Sequence, residues 1–324
     1  MLRLTMALCT GLLAAVAAAP MGARAQDRYP ERAIKIIVPI PPGATADTLP
    51  RVIGDKLSKA WDQPVVIENK PGASNNLAAE FVAKAQADGY TIFATPPGPL
   101  VTAGSMGMTL RFDPRAFTPI TIMATLPNTL VVRADLPVSN LQELVAYAKA
   151  NPGKLTYASA GNGSTPHLAG AALQITAGIS MVHVPYKGLA PALADVLAGH
   201  IDMLFDNIGN TLPHIKSGKV KGIGVADKVR SPELPDLPTV AETYPGFYST
   251  TWFALVGPPN MPPAIASKMQ TEVARILKLP DLVTLYQQLA ANPGGNTPED
   301  MRTFLGDERE RWDKVIKTAG IKDE

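Results

Sequence analysis

Cysteine is almost missing from this chain of 324 residues, and the single one, Cys9, lies within the apolar N-terminal run. No disulfide framework is available, so the fold must be held by its core. An excess of charge of either sign is missing as well, with 30 Lys and Arg against 28 Asp and Glu. Without a long basic run, nucleic acid and anionic membrane surfaces are excluded as main partners. Beyond the N-terminal run, no segment is apolar and long enough to span a bilayer. Enzyme signatures are also absent. Gly161-x-Gly163 has Pro166 where a dinucleotide fingerprint needs its third glycine, and no Walker loop, Gly-x-Ser-x-Gly elbow or His-Glu-x-x-His occurs. The four histidines, His167, His183, His200 and His214, are scattered without metal-like spacing. Ser164, three residues before His167, reads more simply as a helix cap than as a nucleophile beside its base. No catalytic residue, metal or cofactor is expected.

What is present begins with an export signal. Arg3 precedes an Ala/Leu-rich run from Leu4 to Ala19, and Ala23-Arg24-Ala25 forms an A-x-A site before Gln26. Length and the small-residue flank exclude a membrane anchor, and Leu8 before Cys9 excludes a lipoprotein. Residues 1–25 are read as a signal peptide, which places the mature protein in the periplasm. Its only charges are Arg3 and Arg24, so 28 charges of each sign remain and the mature net charge is zero.

Residues 26–324 alternate between strand and helix periodicity. Strands are predicted at 34–38, 65–68 and 90–94, with helices at 45–60 and 76–87 between them. This order implies a parallel sheet with helices on both faces, whose ligands sit beyond the carboxyl ends of the strands. A second run follows, with strands at 130–133, 155–158, 181–184, 201–205 and 220–225. Its helices are placed at 140–150, 167–177, 189–199 and 208–217, the first opened by a capping box over Ser139 to Gln142. The β-rich stretch Phe117 to Thr129 is placed to cross between the runs. An irregular, proline-containing stretch reaches Tyr248, and a strand at 252–256 precedes C-terminal helices. The last of these starts at Thr297-Pro298-Glu299-Asp300. The fold class is α/β with two lobes and two crossings: 26–125 with 250–324 form lobe 1, and 126–249 form lobe 2. The competing reading is one larger α/β domain.

Loops just past predicted strands carry the chemistry. The first is Pro39 to Asp47, where Thr45 or Asp47 can cap a helix. The second is Thr95-Pro96-Pro97-Gly98-Pro99. The third, Ser159 to His167, is rich in Gly, Ser, Thr and Asn. Asp206-Asn207 is a fourth position, read either as a plain cap or as a ligand contact. None of these loops contains Lys or Arg, so an anion would be held by backbone N–H groups, hydroxyls and bridging water. Asp206 would repel a nearby carboxylate, or receive an ammonium, a hydroxyl or a water. Lys187 is the nearest cation and reads equally well as a solvated surface residue.

Several segments together carry a family likeness. These are Ile36-Ile37-Val38-Pro39-x-Pro41-Pro42-Gly43-x-x-x-Asp47, Pro64 to Ala73, Asp88-Gly89-Tyr90-Thr91, Thr156 to Gly170, Val182 to Gly188, Leu212 to Ile215 and Arg230 to Thr239. In this order they resemble the Bug family of extracytoplasmic solute receptors of the tripartite tricarboxylate transporter type. The resemblance implies a type II periplasmic-binding-protein fold and small carboxylate ligands. It further implies delivery to a two-component membrane permease, by a monomer. A periplasmic sensor presenting its ligand to a signalling receptor is the alternative, and a hydrolase a distant third. It places ligand contacts at Ile40, Gly43, Ala44, Thr45, Thr95, Pro97, Gly98, Ser159, Ala160, Asn162, Ser164, Thr165, Asp206 and Asn207. The sequence departs from the family pattern at Ile40, Ala44, Ser74 to Asn76 and Pro96 to Pro99, which suggests a shifted preference, toward a bulkier or aromatic carboxylate.

Overall fold

The computed structural model describes residues 28–43 and 45–322; the signal peptide reading and Ala44 lie outside the described residues, as does the Thr45 side chain. Strand β1 (Ile34–Val38) lies between β2 (Val65–Asn69) and β3 (Thr91–Thr95), both parallel to it. Helix α1 (Thr45–Trp61) joins β1 to β2, and α2 (Asn76–Ala83) precedes β3. The 16-residue β4 (Thr118–Arg133) organises the rest. Its first part, Thr118 to Pro127, pairs antiparallel with β9 (Thr250–Gly257), which is itself antiparallel to β3. Its second part, Asn128 to Arg133, pairs antiparallel with β7 (Met203–Asn207) and β8 (Val220–Val225). Strands β5 (Thr156–Ser159) and β6 (Val182–Pro185) extend this side in parallel with β7. The parallel order expected of the first three strands holds, whereas in the second run β4 lies antiparallel to β7 and β8, so the whole sheet is mixed, with parallel outer thirds and an antiparallel centre. The cause is β9, a late strand inserted beside β3 and running the other way.

Each half packs helices on both faces, as alternating side chains require. On the β1–β3 side, Ile34, Ile36 and Val38 face α1 and α8 (Pro263–Ile276), and Leu49, Ile53, Leu57, Met269 and Val273 meet them. The opposite face, with Ile37, Phe93 and Trp252, meets α2 and α10 (Pro298–Ala319) through Met301, Leu305, Trp312 and Ile316. On the other side, Tyr157, Met203 and Phe205 face α3 (Leu141–Ala150) and α4 (Thr165–Ala177). Ala158 and Leu204 face α5 (Leu189–Leu197).

Helix ends follow local chemistry. Thr297 accepts the Asp300 N–H at 3.1 Å, Pro298 opens α10, and Gly320 closes it with φ 65°. The box at α3 uses other residues than expected: Asn140 accepts the Glu143 N–H at 2.9 Å, and Glu143 accepts the Ser139 N–H at 2.7 Å. Glutamate is the better reciprocal acceptor, so the cap moves one residue on from Ser139 and Gln142. The helix expected over 76–87 stops at Ala83. The short helices α6 (Ile208–Lys216), α7 (Val240–Thr243) and α9 (Pro280–Gln288) complete the set, with β10 (Asn292–Pro293) pairing with β4. Among the described residues no helix is long and apolar enough to cross a membrane.

The chain passes between the halves twice. The outward pass is β4 itself, which joins the β-rich crossing expected over Phe117 to Thr129 and the strand expected at 130–133 into one. The return runs beside it: the Ala226 N–H donates to the Asn128 carbonyl at 2.7 Å, and the Ser249 N–H to the Ala226 carbonyl at 2.8 Å. The buried Asn128 amide lies 3.4 Å from the Ser249 hydroxyl and accepts from the Thr251 hydroxyl at 3.3 Å. Two adjacent extended strands give a short connection that can bend without losing its core.

Candidate functional site

The carboxyl ends of β1, β2 and β3 lie side by side, because Ile37 is in register with both Glu68 and Phe93. Those of β5 and β7 do the same in the other half, where Ala158 is in register with Leu204. The loops singled out in the sequence leave from these ends.

The first loop is pinned from behind. Asp47 is buried and accepts the Gly43 N–H at 3.0 Å and the Asn69 amide at 2.7 Å. Arg51 holds the same carboxylate with Nε at 2.8 Å and with a second nitrogen at 2.9 Å. This fork is what holds Asp47 down to about 2, with the Asn69 and Gly43 bonds adding to it. Asn69 also donates to the Ile40 carbonyl at 2.8 Å, so β1 and β2 jointly fix the loop. Two expectations change here. Asp47 is a loop brace inside the first turn of α1, and the Gly43 N–H is spent on it. Ile40 is half-buried and packs on the β1 core, while exposed Gly43, at φ 103°, leaves open space where a Cβ would stand.

In the second loop, Pro97 opens a five-residue π-type turn over Gly98–Thr102, closed by the Ala103 N–H on the Gly98 carbonyl at 3.0 Å. Thr95 is buried, and its hydroxyl donates to the Pro96 carbonyl at 3.0 Å. Half-buried Gly98 faces open space.

The third loop touches the second. The Thr102 hydroxyl donates to the Gly163 carbonyl at 3.2 Å, and a Cβ on Gly163 would stand 2.3 Å from Met106 Sδ. Gly163 therefore permits a close approach of the two halves. Ser164 occupies the N-cap position of α4 without making the capping bond; its hydroxyl donates to the Gly161 carbonyl at 2.6 Å. The simple cap reading of Ser164 is thus corrected, since the tight turn at Gly161 offers a nearer acceptor. Thr165 is buried at the helix start, and Ala160 and Asn162 are half-buried.

Behind this loop stands a group that spacing alone did not reveal. His167 and His183 stack with ring centroids 3.8 Å apart and planes within 3°, and Tyr157 lies 5.0 Å from His183. His183 Nε2 is 2.6 Å from the Ser159 hydroxyl, and His167 Nδ1 accepts the Gly163 N–H at 3.1 Å. That bond makes Nδ1 the unprotonated nitrogen of a neutral ring. Burial lowers His167 to about 3, with His183 adding to it, and burial lowers His183 to about 4. These two histidines are therefore paired, contrary to the scattered reading, although residues 167 and 183 lie on different elements and sequence spacing carries no trace of it. Fully buried Ser159 ties the foot of the loop to His183. Lys187 is exposed, in keeping with its surface reading.

Asp206 and Asn207 end β7, in register with Thr129 and Asn128 of β4. Asn207, rather than Asp206, occupies the N-cap position of α6. Asp206 Oδ1 accepts the Asn207 N–H at 2.6 Å and the Asn210 amide at 2.9 Å, while Oδ2 has no partner. Burial raises this carboxyl to about 7.

A separate groove of about 760 Å³ lies between residues 100–105, residues 113–115 and α10. Arg115, Arg309 and Lys317 share its walls with Asp113, Glu310 and Asp313. It is not at a strand end, offers no helix N-terminus and mixes both signs of charge. The loops between the halves remain the better site. Among the described residues, no His, Cys, Asp and Glu side chains are grouped to hold a metal ion.

Two α/β halves on a paired-strand connection, with helices starting from the carboxyl ends of strands in both, are the architecture of a solute-binding protein. Residues 49–321 match the family model described as the tripartite tricarboxylate transporter family receptor, and the chain belongs to that family of periplasmic receptors. It is 33% identical to the protein BugT of Bordetella pertussis, over 94% of each chain. It also resembles the solved structure of R. palustris Rpa4515 with adipate, at 37% identity and a TM-score of 0.82, covering 91% of this chain and 99% of that one. Against MatC (Rpa3494) from Rhodopseudomonas palustris with bound malate, identity is 31% and the TM-score 0.79, covering 89% and 100%.

Proposed function

We propose that this receptor captures a small carboxylate between its halves and hands it on for uptake. The observation that carries the reading is the site's composition: loops at the ends of β1, β3 and β5 with helix N-termini and backbone N–H groups, but no Lys or Arg. An anion there is met by oriented dipoles. The adipate and malate held by the related receptors support the same ligand class. The halves divide into lobe 1, residues 26–125 with 250–324, and lobe 2, residues 126–249, a boundary that the change of partners along β4 at Pro127 and Asn128 supports. The ligand contacts are the residues named from the sequence. In this reading Gly43, Thr95, Ser159 and Ser164 shape the walls, and backbone N–H groups at the starts of α1, α4 and α6 face the ligand. The chain works as a binding protein without turnover. It is exported, cut after Ala25, and acts as a monomer before a two-component membrane permease.

A thermal-shift panel tests this most cheaply. Binding to the native state stabilises by about 2.7 kcal/mol at a hundredfold excess of ligand over Kd. Di- and tricarboxylates, aromatic acids and amino acids should include at least one that raises Tm. Shifts with sugars or cations and none with acids would overturn the ligand class.

A further inference from the structure

Asp206 is a fully buried carboxyl whose two oxygens are treated differently. Oδ1 takes both available donors, the Asn207 N–H and the Asn210 amide, and Oδ2 takes none. Asn207 Oδ1, one residue on, is likewise buried without a partner. A buried polar atom left so is costly unless something arrives to meet it.

Among the described residues, no charged group is within hydrogen-bonding reach of Oδ2. From its own strand the neighbour is Asn207, and from the first turn of α6 it is Asn210. His214 and Lys216 sit in the last turn of that helix. Across β4 stands Thr129, bonded to the Thr211 hydroxyl. On the β5 and β6 side, His183 and His167 are committed to Ser159 and Gly163. On α5, Asp195 is held by Tyr186 and His200. Burial alone opposes ionisation of Asp206, and only the Asn210 and Asn207 bonds favour it.

Two carboxylates within hydrogen-bonding distance cannot both stay ionised without a compensating cation. With Oδ1 occupied, Oδ2 is the oxygen left to carry a shared proton. We propose that Asp206 is the specificity-determining contact for the ligand's second carboxylate, donating from a protonated Oδ2, so that a dicarboxylate is captured with uptake of one proton. The proton comes from solvent, and no covalent bond forms or breaks. The proposal rests on the carboxylate reading above and names its preferred class, dicarboxylates over monocarboxylates of matched length.

The test is titration calorimetry at pH 8 in two buffers of different ionisation enthalpy. The probes are succinate, glutarate and adipate, with butyrate, pentanoate and hexanoate as matched monoacids. The bound diacid should take up close to one proton and the monoacid none. Between pH 8 and 9 the diacid Kd should weaken by close to tenfold, the limit for one linked proton. Asp206→Asn keeps a donor at this place, so it should still bind the diacid, with no proton uptake and a Kd independent of pH. Zero uptake, proton release, or uptake that survives in Asp206→Asn overturns the proposal. Binding of monoacids alone overturns it too, and leaves the carboxylate reading standing. Binding of no acid in this series or in the thermal panel overturns that reading first.

Discussion

His167 and His183 lie face to face, 3.8 Å between ring centroids, directly behind the loop that runs from Ser159 to Ser164. Each holds that loop by a different atom, His183 through the Ser159 hydroxyl and His167 through the Gly163 N–H. Protonating His167 at Nδ1 would set one N–H against another, and charging both rings would place two cations in contact. The stack is therefore a neutral-state device.

Acid sensitivity follows from it. Both histidines titrate lower in the fold than their ordinary value of 6.5, at about 3 and about 4. Their contribution is whole above pH 6.5 and is lost as pH falls from there toward the folded values, because the unfolded chain binds protons first. Tm should fall across that window, by an amount on the order of a few kcal/mol of stability. Thermal melts of the wild type and His183→Gln check this; the variant should have the shallower acid slope.

Asp206 behaves in the opposite sense. Its carboxyl is raised from 3.8 to about 7, so its contribution is full below pH 3.8 and lost as pH climbs through 7. Asp206→Asn removes that loss. Melts in the absence of ligand should show the variant gaining on the wild type from pH 4 to pH 8, and a constant difference would contradict the burial argument.

Glu308 anchors the return crossing to α10. It is 2% exposed and accepts Trp252 Nε1 at 3.0 Å, Trp312 Nε1 at 3.2 Å and Arg311 at 2.6 Å. Arg311 in turn donates to the Tyr248 carbonyl at 2.8 Å and stacks on the Tyr248 ring. Glu308→Ala strands two indole donors and takes from Arg311 its carboxylate partner, at a cost of about 3–5 kcal/mol. Urea unfolding should show a lower midpoint of that size.

A contact between the halves gives a steric test. A Cβ on Gly209 of α6 would stand 2.5 Å from the Leu289 carbonyl oxygen, which is backbone and cannot turn aside. Gly209→Ala should force α6 from residues 289–290 and destabilise by about 1–3 kcal/mol. The same urea experiment reads it, and a neutral outcome would mean that the two surfaces separate freely.

The strands and helices were legible because their periodicity is local: Ile34-Lys35-Ile36-Ile37-Val38 could be read as a strand with no knowledge of its neighbours. Strand direction was not. Nothing within Thr250 to Gly257 shows that it inserts beside Thr95 and reverses the sheet, since that is decided by packing across more than a hundred residues. The site divides the same way. Loops at strand ends were visible from glycine, proline and hydroxyl residues. The partners of those loops were not: Asp47 with Arg51 and Asn69, and His183 with Ser159, meet only in the folded chain.

A crystal structure with the tightest carboxylate from the thermal panel tests the central claim most directly. A carboxylate between the halves, hydrogen-bonded to backbone N–H groups of residues 159–165 and of the first turn of α1, is the predicted result. Ligand in the groove beside Arg309 and Lys317, with the loops between the halves unengaged, would contradict it.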